Sequence, residues 1–138
     1  MKRAALLVSS SLVVGIALGV IGTGVLTAQQ EPVKRTVLLK SDLVGIEGKE
    51  ALVRLTEYAP GAEAGKHYHP AHVFIYVLDG SGIWELEGRP PVTLKQGDVF
   101  YEEPRHVHTA KNASMSAPLK ILVFTIAEKG QPAVVPVE

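Results

Sequence analysis

The chain has 138 residues, with 14 basic and 14 acidic side chains and no long block of either sign, which argues against a nucleic-acid or polyanion surface and for a small-molecule partner. It has no cysteine, so disulfides, thiolate zinc sites, thiol nucleophiles and a lipidated N-terminal cysteine are excluded. Any metal must be held by His, Asp, Glu or water, in what the length makes one domain with an appendage.

The appendage comes first. After Met1, Lys2 and Arg3, the run from Ala4 to Ala28 carries no charge and is rich in Leu, Val, Ile, Ala and Gly. A basic start before an apolar run is the pattern of a targeting segment with Lys2 and Arg3 left in the cytoplasm. Residues 1–28 are therefore expected to be a signal peptide or a membrane anchor. The run is long enough to span a bilayer at roughly 20 residues, and a cut after Ala28 would leave Leu26 where a small residue is preferred. The glycines of the run make it a poor soluble helix. On either reading residues 29–138 are expected to form a single domain in the periplasm or outside the cell. Contact with a membrane is limited to residues 4–28, if they are retained.

From Lys34 onward, short apolar or alternating runs are separated by Gly, Pro and Asp, the signature of an all-β domain. Strands are expected over 35–40, 50–59, 72–79, 82–88, 91–95, 98–102, 106–112 and 119–128. That number of strands in about a hundred residues makes a sandwich or barrel. The stretches 45–49, 59–65, 79–82, 87–91, 95–98 and 112–118 read as turns. Among them "DGSG", Asp79–Gly82, has the composition of a hairpin turn, which would put Tyr76 and Trp84 on opposite arms, as core or dimer-interface residues. The C-terminal "KGQPAVVPVE" is expected to lie extended over the body or to fray.

Three of the five histidines lie in "KHYHPAH": His67, His69 and His72. His67 and His69 are two apart, so a strand places both imidazoles on one face, where they can converge on one ion at the roughly 2.0–2.1 Å of a Zn–N bond. An isolated pair of this kind is more often a pair of exposed strand-end histidines. A distant second stretch, "GDVFYEEPRHVHTAKN", holds His106 and His108 at the same two-residue spacing, with Asn112 four residues after His108.

Together with "PGAEAGKHYHPAHVFIYVLDG", this stretch resembles the two motifs of the cupin superfamily. Gly61, His67, His69 and Gly80 match the first motif, while Val73 stands where the family has glutamate. Gly97, His108 and Asn112 match the second, with Glu103 at its proline position and Arg105 at its second glycine. The resemblance covers roughly residues 50–127. It implies a jelly-roll β-barrel, usually a homodimer, with a divalent metal ion (Fe, Mn, Zn, Ni or Cu) near the barrel mouth. Its implied ligands are His67, His69 and His108.

His72, one residue before the lost glutamate, is a candidate fourth ligand if a bulge shifts the strand. In the family register Val73, Ile75 and Val77 face inward and His72 points away. Without the carboxylate, three neutral imidazoles leave a divalent ion its full charge and an open position for water or an anionic substrate. Glu102 and Glu103 flank the proline corner as a candidate acid, base or imidazole-orienting partner, or as a solvated turn. Arg105 is a candidate anion attractor, and His106 is a weaker ligand candidate than His108. The intact His67, His69 and His108 favour an exported metal-dependent enzyme, an oxidoreductase or a lyase or isomerase acting on a small molecule, whereas the absent glutamate and the altered second-motif glycine favour the alternative. The alternative is a non-catalytic barrel that binds a small ligand or serves to dimerise.

Overall fold

The structure is a computed structural model that describes residues 31–138. The targeting or anchor segment expected over residues 1–28 lies outside the described residues. Among the described residues no helix is long and apolar enough to cross a membrane.

Among the described residues ten strands follow one another: β1 (Val33–Asp42), β2 (Lys49–Tyr58), β3 (Glu63–Tyr68), β4 (Ala71–Asp79), β5 (Ser81–Leu86), β6 (Val92–Lys95), β7 (Val99–Glu102), β8 (His108–Asn112), β9 (Leu119–Glu128) and β10 (Val135–Pro136). They form two five-stranded sheets in the orders β1-β2-β9-β4-β7 and β10-β3-β8-β5-β6, with every ladder antiparallel. This is an all-β architecture consistent with a jelly roll.

The two-residue period of a strand decides what faces the space between the sheets. Along β4, Ala71, Val73, Ile75 and Val77 are buried, whereas His72, Phe74 and Tyr76 are exposed. Along β9, Leu119, Ile121, Val123 and Thr125 point in. The opposing sheet contributes Trp84, Leu86, Leu94 and Ala110. Each fully buried Val, Leu or Ile contributes about 1.5–3 kcal/mol relative to exposure, so the alternation itself holds β4 in its register.

Three expectations need correction. "DGSG" does not close a hairpin, because β4 and β5 belong to different sheets and the turn carries the chain from one layer to the other. Gly80 makes this crossing at φ +81°, and a Cβ there would lie 2.6 Å from the Pro118 carbonyl oxygen. The stretch 59–65 is not all turn, since β3 begins at Glu63. Its Glu-Ala-Gly-Lys start has little strand propensity of its own; Glu63 and Ala64 are held by pairing with β8, and the Lys66 carbonyl accepts from the Val137 N–H. The strand expected from 106 begins only at His108. The C-terminal segment lies over the body, pairing Val135 with Tyr68 and Pro136 with His67 at the sheet edge, where a proline is tolerated.

Candidate metal centre

Strand pairing brings the motif histidines together. His67 on β3 is the direct cross-strand partner of His108 on β8, and His69 follows two residues after His67. All three are buried, with ring centroids 4.4–5.2 Å apart. One ligand nitrogen from each ring lies within 4.8 Å of the others.

Backbone carbonyls set their tautomers. His67 Nδ1 lies 2.5 Å from the Gly65 oxygen, His69 Nδ1 2.6 Å from that of Ala133, and His108 Nδ1 3.0 Å from that of His106. A carbonyl only accepts, so each Nδ1 carries the proton and donates it, leaving each Nε2 lone pair free. Burial lowers all three pKa values, His69 to about 3 and His108 to about 4, while the carbonyl hydrogen bonds act in the opposite direction. Neutral, oriented imidazoles with free Nε2 atoms are what a divalent cation requires, so these residues fit a metal.

Glu102, at the end of β7, faces the same group. It is 2% exposed, with Oε1 3.4 Å from His108 Nε2 and Oε2 3.5 Å from His69 Nε2. Oε2 has no hydrogen-bond partner. Burial raises the carboxyl pKa to about 7, against the opposing pull of the Trp84 indole and the Arg54 guanidinium. Its neighbour Glu103 is exposed and pairs with Arg89 at 2.9 Å, a hydrogen bond that lowers its pKa. Of the two flanking carboxylates, only Glu102 reaches the centre.

Arg54 was not anticipated from the sequence. It is 5% exposed, and its Nε lacks a hydrogen-bond partner. Among the described residues no carboxylate forms a salt bridge with it. It lines a cavity of about 20 Å³ together with Arg35, Tyr58, the three histidines and Glu102, room for about one water-sized occupant. Burial, then the nearby Arg35 charge, lowers its pKa, and burial pushes the Tyr58 hydroxyl up to about 12. The available signal was parity. Arg54, Thr56 and Tyr58 share one face of β2, but Val53 and Leu55 make the other face equally plausible as core.

The remaining candidates lie elsewhere. His72 does not join the cluster: it is exposed on the outer face of β4, its Nδ1 2.7 Å from the Tyr101 hydroxyl and its ring stacked on Tyr101. No bulge shifts Val73, which points inward as the family register requires. His106 Nε2 lies 2.8 Å from the Glu87 carbonyl and is not part of the histidine group. Arg105, at the family's glycine position, adopts φ +63°, a left-handed conformation uncommon outside glycine. Its N–H donates to the His69 carbonyl at 2.7 Å, while its exposed guanidinium lies 6.0 Å from the Tyr68 ring centre. Asn112 ties loops together, donating to the Ala59 and Ala117 carbonyls and accepting from the Ser114 N–H. Trp84 is core and Tyr76 is on the outer surface.

Fold and site define a small β-barrel protein with a buried histidine group able to hold a metal. The chain belongs to the cupin family, whose cupin-domain profile matches residues 54–125. It is similar to a cupin-like protein from Thermotoga maritima, at 25% identity and a TM-score of 0.61 over 76% of this chain and 75% of that one. The polyketide cyclase RemF from Streptomyces resistomycificus has 21% identity and a TM-score of 0.60 over 78% and 72%. A DMSP lyase from Ruegeria pomeroyi has 24% identity and a TM-score of 0.56 over 63% of this chain, which spans only 43% of that protein. Among curated proteins none matches.

Proposed function

We propose that this protein is an exported metal-binding cupin in which His67, His69 and His108 hold a divalent ion, and that it acts as a metal-dependent enzyme, an oxidoreductase or a lyase or isomerase, on a small anionic molecule. The observation that carries the metal reading is the set of three buried imidazoles, each with Nδ1 engaged by a backbone carbonyl. A divalent ion bound there supplies Lewis acidity and a position for a substrate oxygen. Arg54 supports the anionic substrate, because a buried guanidinium without a carboxylate partner is stabilised by a ligand of opposite charge. The apolar wall of Val73, Ile75, Ile121 and Val123 limits water around both groups. A lyase and a cyclase among the proteins of similar fold suit this choice of reaction classes.

The test is metal content by mass spectrometry of protein purified without a histidine tag, comparing wild type with the His67→Ala/His69→Ala variant. Stoichiometric metal is expected in the wild type alone. Absence of metal from both, with no thermal stabilisation of the wild type by added ions, would remove the metal reading. Titration of metal-loaded wild type and Arg54→Gln with acetate tests the substrate class, and equal binding would contradict it. Cell fractionation, with the mass of the mature N-terminus, tests export and separates cleavage from anchoring.

A second reading, a non-catalytic barrel that binds a small ligand or dimerises, is favoured by two features. The cavity is only about 20 Å³, and the outer face of one sheet exposes Phe74, Tyr76, Tyr101 and Phe124 together. We assign the homodimer contact to this aromatic face. Sedimentation should then show a dimer that Phe124→Glu converts to monomer.

A further inference from the structure

We propose that Glu102 is the carboxylate ligand of this centre, supplied across the β4–β7 ladder in place of the glutamate that the cupin motif would put at position 73. The inference rests on the metal reading above and adds to it a residue that the motif does not contain.

Register provides the first support. Val73 on β4 and Glu102 on β7 are direct cross-strand partners, and both point inward. Directly paired side chains share a face with Cβ atoms about 4.5–5.5 Å apart. A carboxylate on either residue therefore enters the same space, and valine at 73 keeps that space free for the longer side chain from the neighbouring strand.

The facing atoms provide the second. His69 Nε2 and His108 Nε2 are left as lone pairs by their Nδ1 hydrogen bonds. Each stands opposite a different oxygen of Glu102, at 3.5 and 3.4 Å. Two acceptors facing a carboxylate are unfavourable unless a proton or a cation lies between them. Atoms held about 2.0–2.1 Å from a tetrahedral ion lie about 3.4 Å from one another, close to the separation of each Glu102 oxygen from the histidine nitrogen it faces, although the group whose ligand atoms all lie within 4.8 Å of one another is that of the three histidines. The third observation is the buried Oε2 without a hydrogen-bond partner, an orphan that a native interior does not leave without cause.

Coordination by Glu102 also reduces the charge of the centre from +2 to +1. It draws the carboxylate to the ion rather than to Arg54, leaving that guanidinium for an incoming anion.

The test is a titration of the metal-free full-length protein with Co²⁺, read by its visible absorption, for wild type, Glu102→Gln, Glu103→Gln and the exchange Val73→Glu/Glu102→Val. Trp84 fluorescence confirms that each is folded. Glu102→Gln is expected to lose more than about 100-fold in Co²⁺ affinity, beyond the roughly 10- to 100-fold that follows loss of an outer-shell partner, with a changed spectrum. Glu103→Gln should bind as wild type does, and the exchange should recover most of the lost affinity. Wild-type binding with an unchanged spectrum in Glu102→Gln would overturn the proposal while leaving the three-histidine centre intact. No Co²⁺ binding by wild type would overturn the centre itself, and this inference with it.

Discussion

In the metal-free protein, replacing Glu102 by glutamine should stabilise the fold, and only at neutral or higher pH. Burial raises the Glu102 carboxyl from 4.5 to about 7, so the native state holds a proton that the unfolded chain has released across that interval. Stability tied to this proton is fully present below pH 4.5 and is lost as pH rises toward 7. At 1.36 kcal/mol per pH unit the loss is about 3 kcal/mol, all of it present above pH 7. Glutamine keeps the shape and has no proton to lose, so the variant should match wild type near pH 4.5 and exceed it by about 3 kcal/mol at pH 8, roughly 10 °C in Tm for a domain of this size. The depressed histidines act in the opposite sense, their stability being lost as pH falls from 6.5 through about 4 for His108 and about 3 for His69. Both proteins share that effect, and it cancels in the difference. Urea unfolding at the two pH values in the presence of a chelator measures it, with Trp84, the chain's single tryptophan and 1% exposed, as the reporter. A gap that is equal at both pH values, or a variant less stable than wild type at pH 8, would refute the account of Glu102 as a carboxyl destabilised by burial. Saturating metal should reverse the order, because the ion then compensates the charge.

Deleting residues 133–138 removes the Ala133 carbonyl that holds His69 Nδ1 together with β10. Metal affinity should fall about 10- to 100-fold, and an unchanged Co²⁺ titration would show that the tail does not orient the ring. His72→Ala should leave metal affinity unchanged, since the side chain lies on the outer face, and a loss in the same titration would contradict the facing of β4. Gly80→Ala forces a Cβ against the Pro118 carbonyl in a left-handed conformation. It should cost about 3 kcal/mol, read as a fall in the urea midpoint, and a near-neutral result would mean that the crossing between sheets is more yielding than its contacts indicate.

The strands around the core were legible because alternation is a local property. Residues 71–79 and 119–128 show their buried and exposed faces within a few residues. Where local signal was weak the reading failed, as at Glu63–Lys66, where Glu63 and Ala64 pair with β8 and the Lys66 carbonyl accepts from the Val137 N–H, and at Asp79–Gly82, whose turn composition is the same whether the chain folds back in one sheet or crosses to the other. Arg54 escaped notice for a related reason, both faces of its strand being apolar enough to be core.

By itself the sequence determined the all-β character, and its resemblance to the cupin motifs set His67, His69 and His108 apart from the other histidines, since both depend on residue type and separation along the chain. Only the tertiary structure decided which way His72 faces, that the carbonyl orienting His69 comes from the C-terminal tail, and which of two adjacent glutamates reaches the histidines. Each of those outcomes depends on register between strands distant in sequence. A shift of one residue would turn Glu102 outward and bring its exposed neighbour in, and no local pattern in "YEEPRHVH" distinguishes the two.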